Sequence, residues 1–169
     1  MKCLLFFLIY KKKYTGSKFH FLTKDDASLI LEKGLKYGLS AQNFIIEEAK
    51  REGIKAKIIN WKASIFFIKP SFSKMASSPV KQGELMAMGI PVICNVGVGD
   101  SDQIVQRYKS GILVNAFDEK DYQKACNLLK VSTFDSHVLR KGAEDYFSLE
   151  AGIKAYENIY DTLQYSQNE

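Results

Sequence analysis

Apolar residues fall along this chain in short blocks separated by polar segments with helical spacing. Lys18 to Thr23 is a short apolar run that predicts a first strand. Asp25 then caps a helix running to Tyr37, with Gly38 at the position that closes it. Phe44 to Ile46 predicts a second strand, Glu48 to Trp61 holds helical material, and Ser64 to Ile68 predicts a third strand. This third strand is apolar enough for burial on both faces, and Pro70 ends it. Val80 to Met88 reads as a helix stopped by Gly89, and Pro91 to Cys94 and Ile112 to Val114 are a fourth and fifth strand.

Three more helices follow from spacing. Asp100, with Gln103 three residues on, resembles a capping box for a helix reaching Tyr108. Asp118 caps a helix whose Tyr122, Ala125, Cys126 and Leu129 share one face. A last helix over 148–165 begins at Ser148 and aligns Leu149, Ile153, Tyr156, Tyr160 and Leu163. Strands alternating with helices require right-handed crossovers. The fold class is therefore α/β, a Rossmann-like parallel sheet with helices on both faces and ligands bound beyond the carboxyl ends of the strands.

Length and composition narrow the class. The 169 residues make one domain, 1–169, and 46% hydrophobic with 25% charged residues excludes a disordered or low-complexity chain. The net charge of +5 suits a phosphate-bearing ligand but falls short of a nucleic-acid stripe, so no nucleic-acid partner is expected. Cys3, Cys94 and Cys126 show neither C-x-x-C spacing nor pairing with His20 or His137, which reads as a reduced, cytoplasmic, metal-free protein. The apolar opening from Met1 to Tyr10 lacks a signal-peptidase site and has about half the length needed to span a bilayer. It reads as an apolar helix that packs on something. Lys11 to Lys13 then form a solvated helix end, which also offers contact to an anionic membrane at its inner face.

The chemistry concentrates after the third strand. The segment from Lys69 to Glu84 places serines and lysines in a loop that leads into a helix N-terminus, a site for an anion such as phosphate. Ser78 is expected as the cap, with Pro79 at the first helical position. Lys81 and Glu84 share a helix face at i and i+3, so a cation for phosphate and a carboxylate for a sugar diol can address one ligand. The same spacing also describes a plain surface salt bridge.

The run Ser78-Pro79-Val80-Lys81-Gln82-Gly83-Glu84-Leu85-Met86-Ala87-Met88-Gly89-Ile90-Pro91-Val92-Ile93 closely resembles the signature S-P-x-K-x-x-E-x-x-A-x-G-x-P-V-I. That signature marks the C-terminal, nucleotide-sugar-binding domain of family 4 (group 1) retaining glycosyltransferases of the GT-B fold. Ala63 to Ser71, Gly97 to Asp100 and Ser110 to Val114 resemble the flanking strand, glycine loop and G-x-L-V strand of that family. The resemblance implies half of a GT-B glycosyltransferase that binds a nucleoside-diphosphate sugar and acts in hexosyl transfer for polysaccharide or surface-glycan assembly. Glu84 matches the carboxylate on the ribose hydroxyls, while Ser77, Ser78 and Lys81 fall where the donor's phosphates and sugar lie, with Lys74 in the same loop. Neither a metal nor another cofactor is implied.

Two departures modify this expectation. Ala76 stands where the family has a second glutamate. The chain also begins, by this resemblance, at the helix after the family's opening strand and glycine loop, with Leu4, Leu5, Leu8 and Ile9 on the apolar face of that helix. The N-terminal acceptor domain would have to be supplied in cis or trans, and the isolated chain is expected to transfer no sugar. An uncovered apolar surface near Met1 to Tyr10 and along the final helix would favour self-association. The rival classes are a non-catalytic nucleotide-sugar-binding subunit and a receiver-type signalling module. For the latter, Asp25 and Asp26 follow a strand but no matching phosphoacceptor does. Asp100-Ser101-Asp102 reads as a helix cap with a first-turn acid, His20 as half-buried structure and Cys94 as inert packing.

Overall fold

Strand β4, Val92–Asn95, forms the centre of the molecule, with all four residues buried. The computed structural model describes residues 2–165. In it β4 pairs in parallel with β3 (Ser64–Phe66) on one side and β5 (Gly111–Val114) on the other. A second parallel pair joins β1 (Phe19–Leu22) to β2 (Phe44–Glu47), in the register Phe19 to Phe44. The fold is thus α/β and Rossmann-like, with the expected β3 and β4 in parallel. The hydrogen bonding nevertheless divides the strands into two small sheets.

The two sheets meet through side chains. Leu22 of β1 and Phe66 of β3 pack in one cluster with Val92 and Cys94. As the edge of its sheet, β3 is only half-buried, and the expectation of burial on both faces over 64–68 is corrected. It is also shorter than expected. The Ile68 amide donates to the Asn95 side-chain oxygen at 2.8 Å, and this bond turns the chain into the loop.

Helices cover both faces. On one, α1 (Lys2–Lys13) and α6 (Glu119–Val131) bring Phe6, Ile9, Tyr122, Cys126 and Leu129 against Ile93, Ile112 and Val114. The ring of Tyr122 stacks on Phe67 at 5.7 Å and meets Phe6 edge-on at 5.5 Å. The same α1 turns Leu4 and Phe7 toward Leu39, Phe44 and Phe19 beneath the other sheet. It therefore straddles both sheets, with Leu31 of α2 (Ala27–Leu35) beside it.

The expected apolar face of Leu4, Leu5, Leu8 and Ile9 is corrected by this arrangement. Leu4, Phe6, Phe7 and Ile9 are the buried residues, and Leu5 and Leu8 are partly covered. A helix apolar on all sides packs on two surfaces at once. The expected uncovered surface near residues 1–10 is absent among the described residues, and Met1 lies outside them.

The other face carries α3 (Arg51–Ile58), α4 (Val80–Ala87) and α5 (Ser101–Tyr108). Outside them lies α7 (Ser136–Phe147), a helix that the spacing of apolar residues does not predict. Gly83 of α4 leaves room for the Phe147 ring, and Gly142 of α7 for Tyr108 and Met86. From α7 the chain passes into α8 (Leu149–Tyr165), whose first turn is capped by the Ser148 hydroxyl, accepting from the Ala151 amide at 3.2 Å. Leu149, Tyr156, Tyr160 and Leu163 of α8 are exposed, as expected for the final helix.

Local capping differs from expectation at the start of α2. Asp26, not Asp25, caps α2 by accepting from the Ser28 amide, because Asp25 is held in the preceding turn by its own amide bond to the Thr23 hydroxyl. Asp118 does cap α6, accepting from the Asp121 amide at 2.8 Å. Gly38 and Gly89 adopt the left-handed conformation at φ 72° and 73° that ends a helix. No helix among the described residues is long and apolar enough to cross a membrane.

Candidate functional site

Within each sheet the described strands run parallel. The α1 helix, with Lys2 over Phe117 beyond β5 and Lys11 bonded to Asn43 at the entry to β2, runs from the exit of one sheet to the entry of the other, so the exits gather at one edge. The β3 exit differs electrostatically from the rest. Residues 67–79 contain Lys69 and Lys74 and no carboxylate, whereas the exits of β1, β2, β4 and β5 hold Asp25 and Asp26, Glu48, Asp100 and Asp118. An anion is best accommodated beyond β3.

The β3 loop is fastened to the loop after β4. The Gly99 amide donates to the Lys74 carbonyl at 3.1 Å, and the Ser77 backbone lies where a side chain at Gly99 would have to go. Gly99 also has a positive φ of 47°, so glycine answers both the steric and the conformational demand. Within the β3 loop a single 3-10 turn, Phe72–Lys74, tightens the approach to α4.

Each expected site residue has a definite place. Lys74 is exposed at the end of the 3-10 turn, and Ser77 is partly buried where its backbone abuts Gly99. Ser78 is exposed and is not the helix cap. Pro79 occupies that position, with ψ 94° and no side-chain hydrogen bond, so the expected order of cap and first helical residue moves by one. The helix begins at Val80, whose amide and that of Lys81 lie in the first turn, where no intrahelical acceptor precedes them.

Lys81 and Glu84 do share a face. Their side chains are 79% and 46% exposed, and Lys81 Nζ lies 2.8 Å from Glu84 Oε2. The structure therefore brings together the two groups expected to address one ligand and pairs them with each other. Such an exposed pair contributes about 0.5 kcal/mol at most, little enough for an anion to displace the carboxylate from the lysine.

The orientation of this face is set from below. Gln82, Gly83, Leu85 and Met86 are buried, and the Gln82 amide group donates to the Ser101 carbonyl at 3.2 Å. With that side of α4 fixed to α5, residues 81 and 84 point to solvent.

Asp100, expected to form a capping box with Gln103, makes no cap hydrogen bond. Its carboxylate instead accepts from the Tyr146 hydroxyl at 2.6 Å, tying the start of α5 to α7. That bond, and then burial, pushes the Tyr146 phenol up to about 12. The thiols are unsuited to nucleophilic work. Burial raises Cys94 to about 12, with Asp102 adding to it, Cys126 to about 11, and Cys3 above its ordinary value. Among the described residues no three His, Cys, Asp or Glu side chains gather as metal ligands.

One polar network was not legible from sequence. Trp61 Nε1–H donates to His20 Nδ1 at 2.9 Å, which places the proton of a neutral imidazole on Nε2. His20 Nε2 is 2.9 Å from Glu47 Oε1, though not aligned as a hydrogen bond, and Glu47 also pairs with Lys57. The Lys57 hydrogen bond is the main cause holding the Glu47 carboxyl below its ordinary value. These four residues join β1, β2 and α3, and the sequence separation between His20 and Trp61 hides them from any local pattern.

A scan against protein-family models and a search of curated proteins found no match to this chain.

Proposed function

We propose that this chain is the donor-binding half of a retaining, GT-B glycosyltransferase resembling family 4, and that it binds a nucleoside-diphosphate sugar beyond β3. The observation that carries this reading is the placement of Lys81 and Glu84 on the exposed first turns of α4, beside a strand exit with lysines and no carboxylate. Phosphate takes over Lys81 from Glu84, and the released carboxylate accepts from the ribose hydroxyls. Lys74, Ser77 and Ser78 line the approach to the phosphates and the sugar.

The chemistry needs charge stabilisation on the departing nucleoside diphosphate. Amides of the first turn of α4 together with Lys74 and Lys81 supply it. The acceptor must be held in near-attack geometry from the other side, by a second domain in cis or trans. The setting for such a reaction is polysaccharide or surface-glycan assembly on the cytoplasmic side.

The test is thermal-shift titration of the full chain with UDP, GDP and ADP and their glucose conjugates, beside a transfer assay with simple glycoside acceptors. Stabilisation by one nucleotide series without transfer supports the donor half. Absence of stabilisation by every series contradicts it. The observed ion pair favours a second reading, in which Lys81 and Glu84 are a helix salt bridge and bind nothing. That reading expects no nucleotide response.

A further inference from the structure

The edge opposite the β3 loop has its own charge pattern, independent of the proposed donor site. Each strand is entered at this edge, and the entering segments 14–18, 36–43, 59–63, 88–91 and 109–110 contain no Asp or Glu. They contribute exposed Lys18, Lys62 and Lys109, together with Lys36, which is neutralised by Glu32 of α2 at 2.8 Å. The α6 helix starts at the β5 exit, where Asp121 Oδ2 accepts from the Asn115 and Ala116 amides, so its C-terminus runs back to the entry edge. The α1 helix lies alongside in the same direction, with Lys2 over the Phe117 ring, Phe6 against Tyr122 and Lys13 bonded to Asn127. Its Lys11 to Lys13 therefore gather with Lys130 of α6 at that edge.

Helix dipoles account for lysines in the last turns. They do not account for the exposed aliphatic residues among them. Leu35 ends α2 at 66% exposure, Ile59 follows α3 at 62% and Val131 ends α6 at 73%. Cations interleaved with protruding aliphatic side chains on one rim match a bilayer with anionic headgroups, where the lysines meet phosphates and the aliphatic groups enter the interface. A free soluble anion would leave the aliphatic residues unexplained.

We propose that the strand-entry edge is a peripheral docking surface for an anionic membrane. Docking by this edge turns the β3 exit away from the bilayer and leaves that site open to a soluble ligand. The surface acts without a spanning helix and releases as salt screens its charges.

The experiment is flotation of the full chain with phosphatidylcholine vesicles, alone and with about one third phosphatidylserine. Binding is expected only with the anionic lipid. Each lysine at the surface is worth about fivefold in partition, so K12Q/K62Q/K130Q should weaken binding by about a hundredfold. I59S/V131S should weaken binding to the anionic vesicles at low salt while leaving the slope of its salt dependence unchanged. K24Q/K50Q, at the strand exits, should bind like the parent. Equal binding to neutral vesicles overturns the proposal, as does indifference to the triple substitution or an equal loss in K24Q/K50Q. Tighter binding to a short single-stranded RNA than to anionic vesicles also overturns it, by assigning the edge to nucleic acid.

Discussion

The carbonyl group of Ser77 occupies the space that a side chain at Gly99 would need. This contact makes the loops after β3 and β4 a single unit, so a change in the glycine loop is transmitted to the residues that lead into α4. Gly99→Ala forces a Cβ into backbone at a residue with φ 47°. Overpacking and strain together should cost about 2 to 4 kcal/mol. Urea denaturation measures the loss. Gly97→Ala, with φ 77° but open space around it, should cost less, about 1 kcal/mol.

Tyr146 and Asp100 test the support of that same unit from α7. Tyr146→Phe removes a hydroxyl that donates to a carboxylate at 2.6 Å on a side chain 39% exposed. Screening by solvent limits the expected loss to about 1 kcal/mol. Denaturation of Asp100→Ala should show a similar loss, and the double substitution should cost little more than either one, because both remove one bond.

The buried thiols set the response to alkali. Cys94 and Cys126 have folded values of about 12 and 11, raised by burial above their ordinary 9.0. A raised value means that the folded state keeps its proton while the unfolded state loses it. Their contribution is fully present below about pH 9 and is lost as pH rises toward the folded values, by about 1.4 kcal/mol per pH unit for each thiol. Urea midpoints at about pH 8 and about pH 10 measure the slope. Cys94→Ala should flatten it, although it lowers stability at neutral pH.

Much of the fold was legible because it rests on local signals. Gly38 and Gly89 end helices as expected, Asp118 caps α6, and Ser64 to Phe66 pairs in parallel with Val92 to Cys94. The errors share a physical origin. Burial in α1 follows two surfaces instead of one face, so periodicity misassigned Leu5 and Leu8. The split between β1 and β3 depends on which backbone groups bond across a seam, which apolar runs do not encode. Local spacing marks Asp100 as a cap, but its carboxylate is taken by a distant tyrosine that the sequence does not reveal. Within the site, Lys81 and Glu84 were legible as neighbours, since i and i+3 spacing fixes their face. The part played by Ser77 was not, because it acts through its backbone.

The most direct test of the donor-site reading is isothermal titration of the chain with its preferred nucleoside diphosphate, repeated with Glu84→Ala and Lys81→Ala. Both side chains are exposed, so neither substitution disturbs the core. Loss of a charge-assisted hydrogen bond should weaken binding by about 10- to 100-fold in each case. Binding that is unchanged in both variants, or no binding by the parent chain, would contradict the account and leave Lys81 and Glu84 as a surface salt bridge.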